Sequence, residues 1–344
     1  MDSISQIVLG ATCGELVLGK KIGNKALLFG AIGGIIPDLD VFIGDFLYSN
    51  KIDSMLFHRG FMHSIFFAIV ISCLLAFLIF KLYDTGKRCG TTTQKDWIWL
   101  FFLSIVTHSI LDSFTGYGTQ LFSPFSDYRV AFSNISVADP LYTLPFLLCL
   151  IVLMFYKRTN PTRRLWLYLG VGISSLYMIF TIGNKFYINS IFEKSLLEKG
   201  IKYQRYNTEA SILNNILWYG IAETDTDFHL ALYSLFDKKD VFTDWKIIPK
   251  SYDLQIINNP DLKRLAWFSN YYFTIKKNED GTFFYSDLRY PSIDTGSGES
   301  SVFSFTIFND GNRLDIKPFQ GPRFEDDTSF EDILLIFWER IKGK

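Results

Sequence analysis

Residues 65–80, IFFAIVISCLLAFLIF, pass sixteen positions without a charge. A run of this kind, read as about 62–82 with its flanks, approaches the roughly 20 residues that cross a bilayer. Three further stretches read the same way, at about 97–113, 140–156 and 165–183. Two earlier ones, about 4–18 and 26–36, are apolar but short, and suit a hairpin that is tilted or re-entrant. The expected fold class is therefore an α-helical polytopic membrane domain of about six helices, residues 1–185. A small β-rich extramembrane domain, residues 186–344, follows it.

The average composition hides this division. The chain is 49% hydrophobic and 17% aromatic with 34 Phe, yet most acidic residues fall after residue 185. The net charge of −1 provides no basic field for a nucleic-acid partner. Cys13, Cys73, Cys89 and Cys149 are scattered and fit neither a CxxC site nor a disulfide framework. The opening MDSISQ lacks the basic region of a cleavable signal peptide.

Lys and Arg set the expected sidedness. The connections after the first, third and fifth helices carry Lys20, Lys21, Lys25, Lys81, Lys87, Arg88, Lys95, Lys157, Arg158, Arg163 and Arg164. The alternate connections carry Lys51, Arg59 and Arg129, which is eleven against three. The basic side is expected in the cytoplasm, which places the C-terminal domain outside.

The polar motifs then collect on the outer side. PDLD (37–40) ends the second helix, HRGFMHS (58–64) opens the third, THSILD (107–112) ends the fourth, and Asp139 precedes the fifth. Ionisable groups beside lipid are costly and face functional cavities. His108 and Asp112 share a helix face at i, i+4. His58, five residues before His63, belongs in the loop, and Pro37 is expected to give a sharp exit presenting Asp38 and Asp40. Asp38, Asp40, His58, His63, His108 and Asp112 form a donor set for zinc, as one ion or two sharing carboxylates.

Each motif also has a plain reading: a local hydrogen bond for HxxxD, a helix stop for PDLD, an interfacial belt for HRGFMHS. Arg59 either holds a substrate phosphate or carboxylate or snorkels to the interface. Asp38 or Asp139 would act as base or orient water. Glu15, inside an apolar helix, needs a partner and either supports the site or pairs locally. Ser64 and Ser109 follow histidines and suit support or capping. His229, in the alternating DFHLALYSL, reads as structural. No GxSxG elbow or HExxH motif is present.

MDSIS, GGIIPDLD, HRGFMHS, THSILDSFTGYGT and ADPLY together resemble the YdjM-type family of inner-membrane-associated, metal-dependent hydrolases. NNILWYGIAET, ALYSLFD, LAWFSNYYF and SDLRY extend the resemblance into the second half. It implies a multi-pass protein of the bacterial cytoplasmic membrane with a hydrolase site at Asp38, Asp40, His58, His63, His108 and Asp112. The family is distantly similar to zinc-dependent phospholipase C and related nucleases. One departure stands out: the Thr-His pair common near residue 6 is Ser5-Gln6 here, so either a metal position is lost or that His is no ligand.

In the second half, WFSNYYFTIKK–NEDG–TFFYSDLRY and SVFSFTIF–NDG–NRLDIKP read as hairpins, and FEDILLIFWERI (330–341) as an amphipathic terminal helix. That half holds no catalytic set; it would cap the cavity, select substrate or serve as a plain lid. The expected function is hydrolysis of a lipid-like phosphoester or ester at the outer leaflet, with membrane lipids and an amphipathic substrate as partners. A transporter relaying protons or metal through the same His and Asp residues is one rival. A nonenzymatic scaffold with a structural metal is the other. The sequence does not fix the oligomeric state.

Overall fold

The computed structural model describes residues 1–250, 258–290, 301, 303–317 and 330–343. Parts of the expected β-rich stretch, including Val302 and residues 318–325, lie outside the described residues. The chain forms two compact units. One comprises Met1–Gly44, Phe57–Ile182 and Ile212–Asn214; the other comprises Asp45–Leu56, Gly183–Ser211 and Asn215–Lys344.

The first unit is helical. Helix α1 (Ser3–Ile22) and α2 (Asn24–Ile35) form a hairpin turned at Gly23, whose φ of 61° lies in the left-handed region. The two helices touch backbone to backbone. A Cβ added at Gly10 would lie 2.4 Å from the Gly30 carbonyl oxygen, and one at Gly34 would lie 2.5 Å from the Gln6 carbonyl oxygen. Gly10/Gly14 and Gly30/Gly34 are thus a pair of GxxxG stripes, the spacing that lets apolar helices approach closely.

A 3-10 turn (Ile36–Leu39) leads from α2 into α3 (Asp40–Leu47). Pro37 therefore does not produce the expected sharp exit. It sits in the first turn of this short element, where its missing N–H costs nothing. Helix α4 (Lys51–Phe57) and a 3-10 turn (Phe61–His63) precede α5 (Ile65–Tyr83), which Ser64 caps by accepting from the Phe67 N–H at 3.0 Å. Helix α6 (Gln94–Ser113) starts in a capping box of Thr93 and Asp96. Helices α7 (Pro140–Met154) and α8 (Pro161–Glu198) follow. Helix α1 packs on α6 and α7, and α5 packs on α6. Trp97, Leu100, Phe101 and Ile105 of α6 are enclosed by Leu18, Ala26, Ala68 and Ala76.

Among the described residues, three helical stretches are long and apolar enough to cross a membrane: Asn24–Leu47, Ile65–Tyr83 and Pro161–Glu198. The expected count of about six is not confirmed. Helix α7 has only 15 residues. Helix α6 gives up apolar character to Ser104, His108, Ser109 and Asp112, all buried inside the unit. Outward positions of α5 such as Ile69, Leu74 and Phe77 are exposed, as suits a helix solvated by lipid.

The second unit carries two antiparallel meanders. Strands β1 (Arg205–Ala210), β2 (Leu217–Glu223), β3 (Asp227–Ser234) and β4 (Thr243–Pro249) pair in chain order. Helix α9 (Pro260–Phe268) precedes β5 (Phe273–Lys277), β6 (Phe283–Asp287), β7 (Ser304–Asn309) and β8 (Leu314–Ile316), which also pair in order. Both expected hairpins form. The first aromatic run, however, gives Trp267 and Phe268 to the end of α9, because Pro260 starts a helix capped by Asn259. His229 lies in β3 opposite Ala222 and Ile247, a sheet position consistent with a structural role. Residues 45–56 belong to this unit. The Asn50 amide donates to the Leu314 carbonyl at 2.8 Å, the Lys51 N–H donates to Asp315 at 2.8 Å, and Asp53 pairs with Arg313 at 2.7 Å and with Arg264. Arg313, seconded by Arg264, holds the Asp53 carboxyl below its usual range. The terminal helix α10 (Phe330–Ile341) carries Arg340 in its last turn, where it pairs with Asp237 and Asp244 at 2.8 Å each.

Candidate metal centre

Four side chains from three separate segments converge in the first unit. Asp38 comes from the 3-10 turn after α2, His63 from the turn before α5, and His108 and Asp112 from successive turns of α6. One ligand atom of each lies within 4.8 Å of all the others. His63 Nε2 is 3.1 Å from His108 Nε2 and 3.4 Å from both Asp38 Oδ1 and Asp112 Oδ2. His108 Nε2 is 3.5 Å from Asp38 Oδ1 and 3.6 Å from Asp112 Oδ2. His63, His108 and Asp112 are buried, whereas the Asp38 side chain is 25% exposed and forms the open side.

An outer layer aims these groups. His108 Nδ1 is 2.6 Å from the Gly34 carbonyl. A carbonyl only accepts, so the proton sits on Nδ1 and the Nε2 lone pair faces the cluster. The close α1–α2 packing delivers that carbonyl. Asp40 Oδ2 lies 3.0 Å behind His63 Nδ1, in ion-pair range but not aligned for a hydrogen bond. Asp40 also takes His58 Nδ1 at 2.8 Å and the Arg59 N–H at 2.9 Å. Asp40 and His58, both expected as ligands, thus sit one layer out, with Asp40 behind His63 and His58 behind Asp40. Burial lowers the His58 pKa against the opposing pull of Asp40.

Arg59 lies beside the cluster. Its Nε is 3.1 Å from Asp112 Oδ2, its Nη1 donates to Thr115 at 2.8 Å, and its guanidinium stacks 4.7 Å from the Tyr117 ring. It is buried, so the snorkelling reading fails. Its φ of 58° is a conformation that costs a non-glycine residue on the order of 1–3 kcal/mol. The Asp40 carboxylate on its N–H and the Gln120 N–H on its carbonyl hold it there. Gln6, at the departure from the family pattern, donates from Nε2 to Asp112 Oδ1 at 2.8 Å. It stands behind Asp112, and the Met1 amine pairs with the same oxygen.

The remaining candidates lie elsewhere. Asp139 caps α7, with Oδ1 on the Leu141 N–H at 3.0 Å and Oδ2 on the Tyr177 hydroxyl at 2.8 Å, so both oxygens are engaged away from the cluster. Glu15 lies nine residues beyond Gln6 on α1, about 13 Å along the axis. It forms a two-bond pair with Arg163 at 2.7 and 2.6 Å. Ser64 is the α5 cap, and Ser109 donates to the Ile105 carbonyl at 3.3 Å; neither bonds a cluster histidine. Sequence reasoning missed the Gly34 carbonyl and the Arg163 partner. The GxxxG pair signalled the first. Nothing in the spacing signalled the second.

The donor set fits a divalent cation. Asp112 Oδ2 is buried and accepts no hydrogen bond, and two imidazole nitrogens and an Asp38 oxygen face it. Arg59 and the Met1 amine balance the charge of Asp112, and a further cation among these lone pairs would relieve their mutual repulsion. Imidazole nitrogens and carboxylate oxygens in one cluster are donors a divalent metal ion accepts.

The model of the family described as YdjM inner membrane protein matches residues 1–187. Inner membrane protein YbcI of Escherichia coli (strain K12) is 37% identical over 122 residues, 34% of this chain and 64% of its own. Uncharacterized protein YfhP of Bacillus subtilis (strain 168) is 26% identical over 186 residues, 52% of this chain and 51% of its own. The chain thus spans between half and two thirds of these relatives. No solved structure matches it. The matched region holds the whole His/Asp cluster and more than half of the sequence, and the chain belongs to the YdjM inner membrane protein family.

Proposed function

We propose that the protein is a zinc-dependent hydrolase of the bacterial cytoplasmic membrane, acting at the outer-leaflet face on a lipid-like phosphoester or ester. The observation that carries this is the convergence of His63, His108 and Asp112 with Asp38 on the open side. Catalytic zinc sites use three protein ligands and leave one position for water or substrate. His63, His108 and Asp112 are the buried three and would hold the ion. A zinc ion bound there supplies Lewis acidity and hydroxide near neutral pH.

Asp38, the exposed member, is placed to hold a proton taken from water at its Oδ1. The Gly34 carbonyl fixes the His108 imidazole by a hydrogen bond, and the Asp40 carboxylate attracts His63 Nδ1 from 3.0 Å, so both Nε2 atoms are directed inward. Arg59 offsets the negative charge of Asp112 and offers a guanidinium to an anionic substrate. The eleven-to-three distribution of Lys and Arg supports an outer location for this face and for the C-terminal unit.

The test is hydrolysis of a phospholipid and phosphoester panel by protein purified without chelator. Asp38→Asn should keep the ion and lose rate on the order of 10²–10⁴-fold, as a lost general base does. A wild type that holds zinc and cleaves nothing on the panel would give the ion a structural role instead.

A further inference from the structure

A cavity of about 200 Å³ lies in the first unit among α1, α6, α7 and α8. Its wall is mostly apolar: Leu9, Leu111, Tyr142 and Phe146 form much of it, with the hydroxyls of Thr107, Ser174 and Ser175. Two of its lining residues, Ile110 and Val171, are 41% and 38% exposed, so its mouth opens on the outer surface of the helices. Helix α8 is one of the three stretches apolar enough to cross a membrane, and that surface therefore faces hydrocarbon.

One feature of the wall is out of place. Ser174 is 4% exposed, and its hydroxyl has no hydrogen-bond partner. Serines in apolar helices ordinarily bond a carbonyl one turn back, as Ser109 does here. A buried hydroxyl left unpaired is costly, and a ligand oxygen in the cavity would relieve it.

We propose that this cavity seats one acyl chain of a membrane lipid, with the chain's ester oxygen accepting from Ser174. A cavity of 150 Å³ takes benzene, so this one takes on the order of eight carbons, the head-proximal half of an acyl chain. Its height matches the candidate centre. Ile110 and Leu111 line the cavity from the two turns of α6 that carry His108 and Asp112. The seated lipid is the substrate, a claim that rests on the hydrolase reading; seating itself does not.

The probe is phosphatidylethanolamine with a photoactivatable diazirine in one acyl chain, used in phosphatidylcholine proteoliposomes with the full chain. Adducts should concentrate on 107–114, 142–146 and 171–178. Ser174→Phe, which fills the cavity, should remove them while leaving adducts on the exposed face of α5 unchanged; Val171→Trp at the mouth makes the same test should the first variant misfold. Ser174→Ala should lower cavity labelling on the order of fivefold, the equivalent of about 1 kcal/mol for one hydrogen bond. Adducts spread in proportion to exposure and unchanged by both bulky variants would overturn the proposal. His108→Ala should keep the labelling and lose hydrolysis. Labelling in a wild type that hydrolyses nothing would leave the lipid seat standing and remove the hydrolase reading.

Discussion

Replacing Glu15 by alanine should strand the Arg163 guanidinium inside the helical unit. The two side chains are 5% and 2% exposed and joined by two bonds of 2.7 and 2.6 Å. Removing one partner of a buried ion pair costs about 3–5 kcal/mol, mostly because the other charge is left uncompensated. Arg163 would keep its bonds to Asn24 at 2.8 Å and to the Tyr156 carbonyl at 2.9 Å, which argues for the lower end, about 3 kcal/mol. At roughly 2–4 °C per kcal/mol for a unit of this size, the unfolding midpoint should fall by about 6–12 °C. The assay is circular dichroism in one detergent at a fixed scan rate, since membrane-protein unfolding is often irreversible. The double variant Glu15→Met with Arg163→Met should recover most of the loss, because well-packed apolar replacements of buried pairs are often neutral. Bound metal should be unchanged throughout. A Glu15→Ala protein as stable as wild type but depleted of metal would refute the reasoning and return Glu15 to the candidate site.

Gly30→Ala should destabilise the α1–α2 hairpin by at least 1–3 kcal/mol, since its Cβ would stand 2.2 Å from the Gly10 carbonyl oxygen; the check is the unfolding midpoint together with metal content. Asp139→Asn should cost about 1 kcal/mol as a weakened helix cap and leave metal binding and turnover near wild type; a large loss of rate would make Asp139 catalytic after all. Asp40→Asn should weaken zinc binding about 10–100-fold, as loss of a carboxylate behind a ligating histidine does, measured by competition with a chromogenic chelator.

The membrane half was legible because apolar runs and i, i+4 spacing are local signals. IFFAIVISCLLAFLIF reads as a lipid-solvated helix from composition alone, and HSILD places His108 and Asp112 on one face. Distinguishing ligand from supporting residue was not local. Asp38 in the 3-10 turn and Asp40 at the start of α3 are two apart, and which of them meets the inward nitrogens of the histidines depends on how that turn docks on α6. His58 and His63 posed the same difficulty, settled by Asp40 lying between them. Spanning length also misled. Residues 26–36 look short, yet the helical course runs through Pro37 to Leu47, while 97–113 looks long but spends its polar residues on the interior.

The most direct measurement is metal stoichiometry by elemental mass spectrometry on wild-type, His63→Ala, His108→Ala and Asp139→Asn proteins, each purified without chelator and checked for folding. The expected result is one zinc per chain in wild type and in Asp139→Asn, with loss from both histidine variants, because each removes a nitrogen that faces the Asp38 and Asp112 oxygens. A folded wild type that takes up no divalent metal when supplied with it, or histidine variants that retain the wild-type complement, would contradict the metal centre itself.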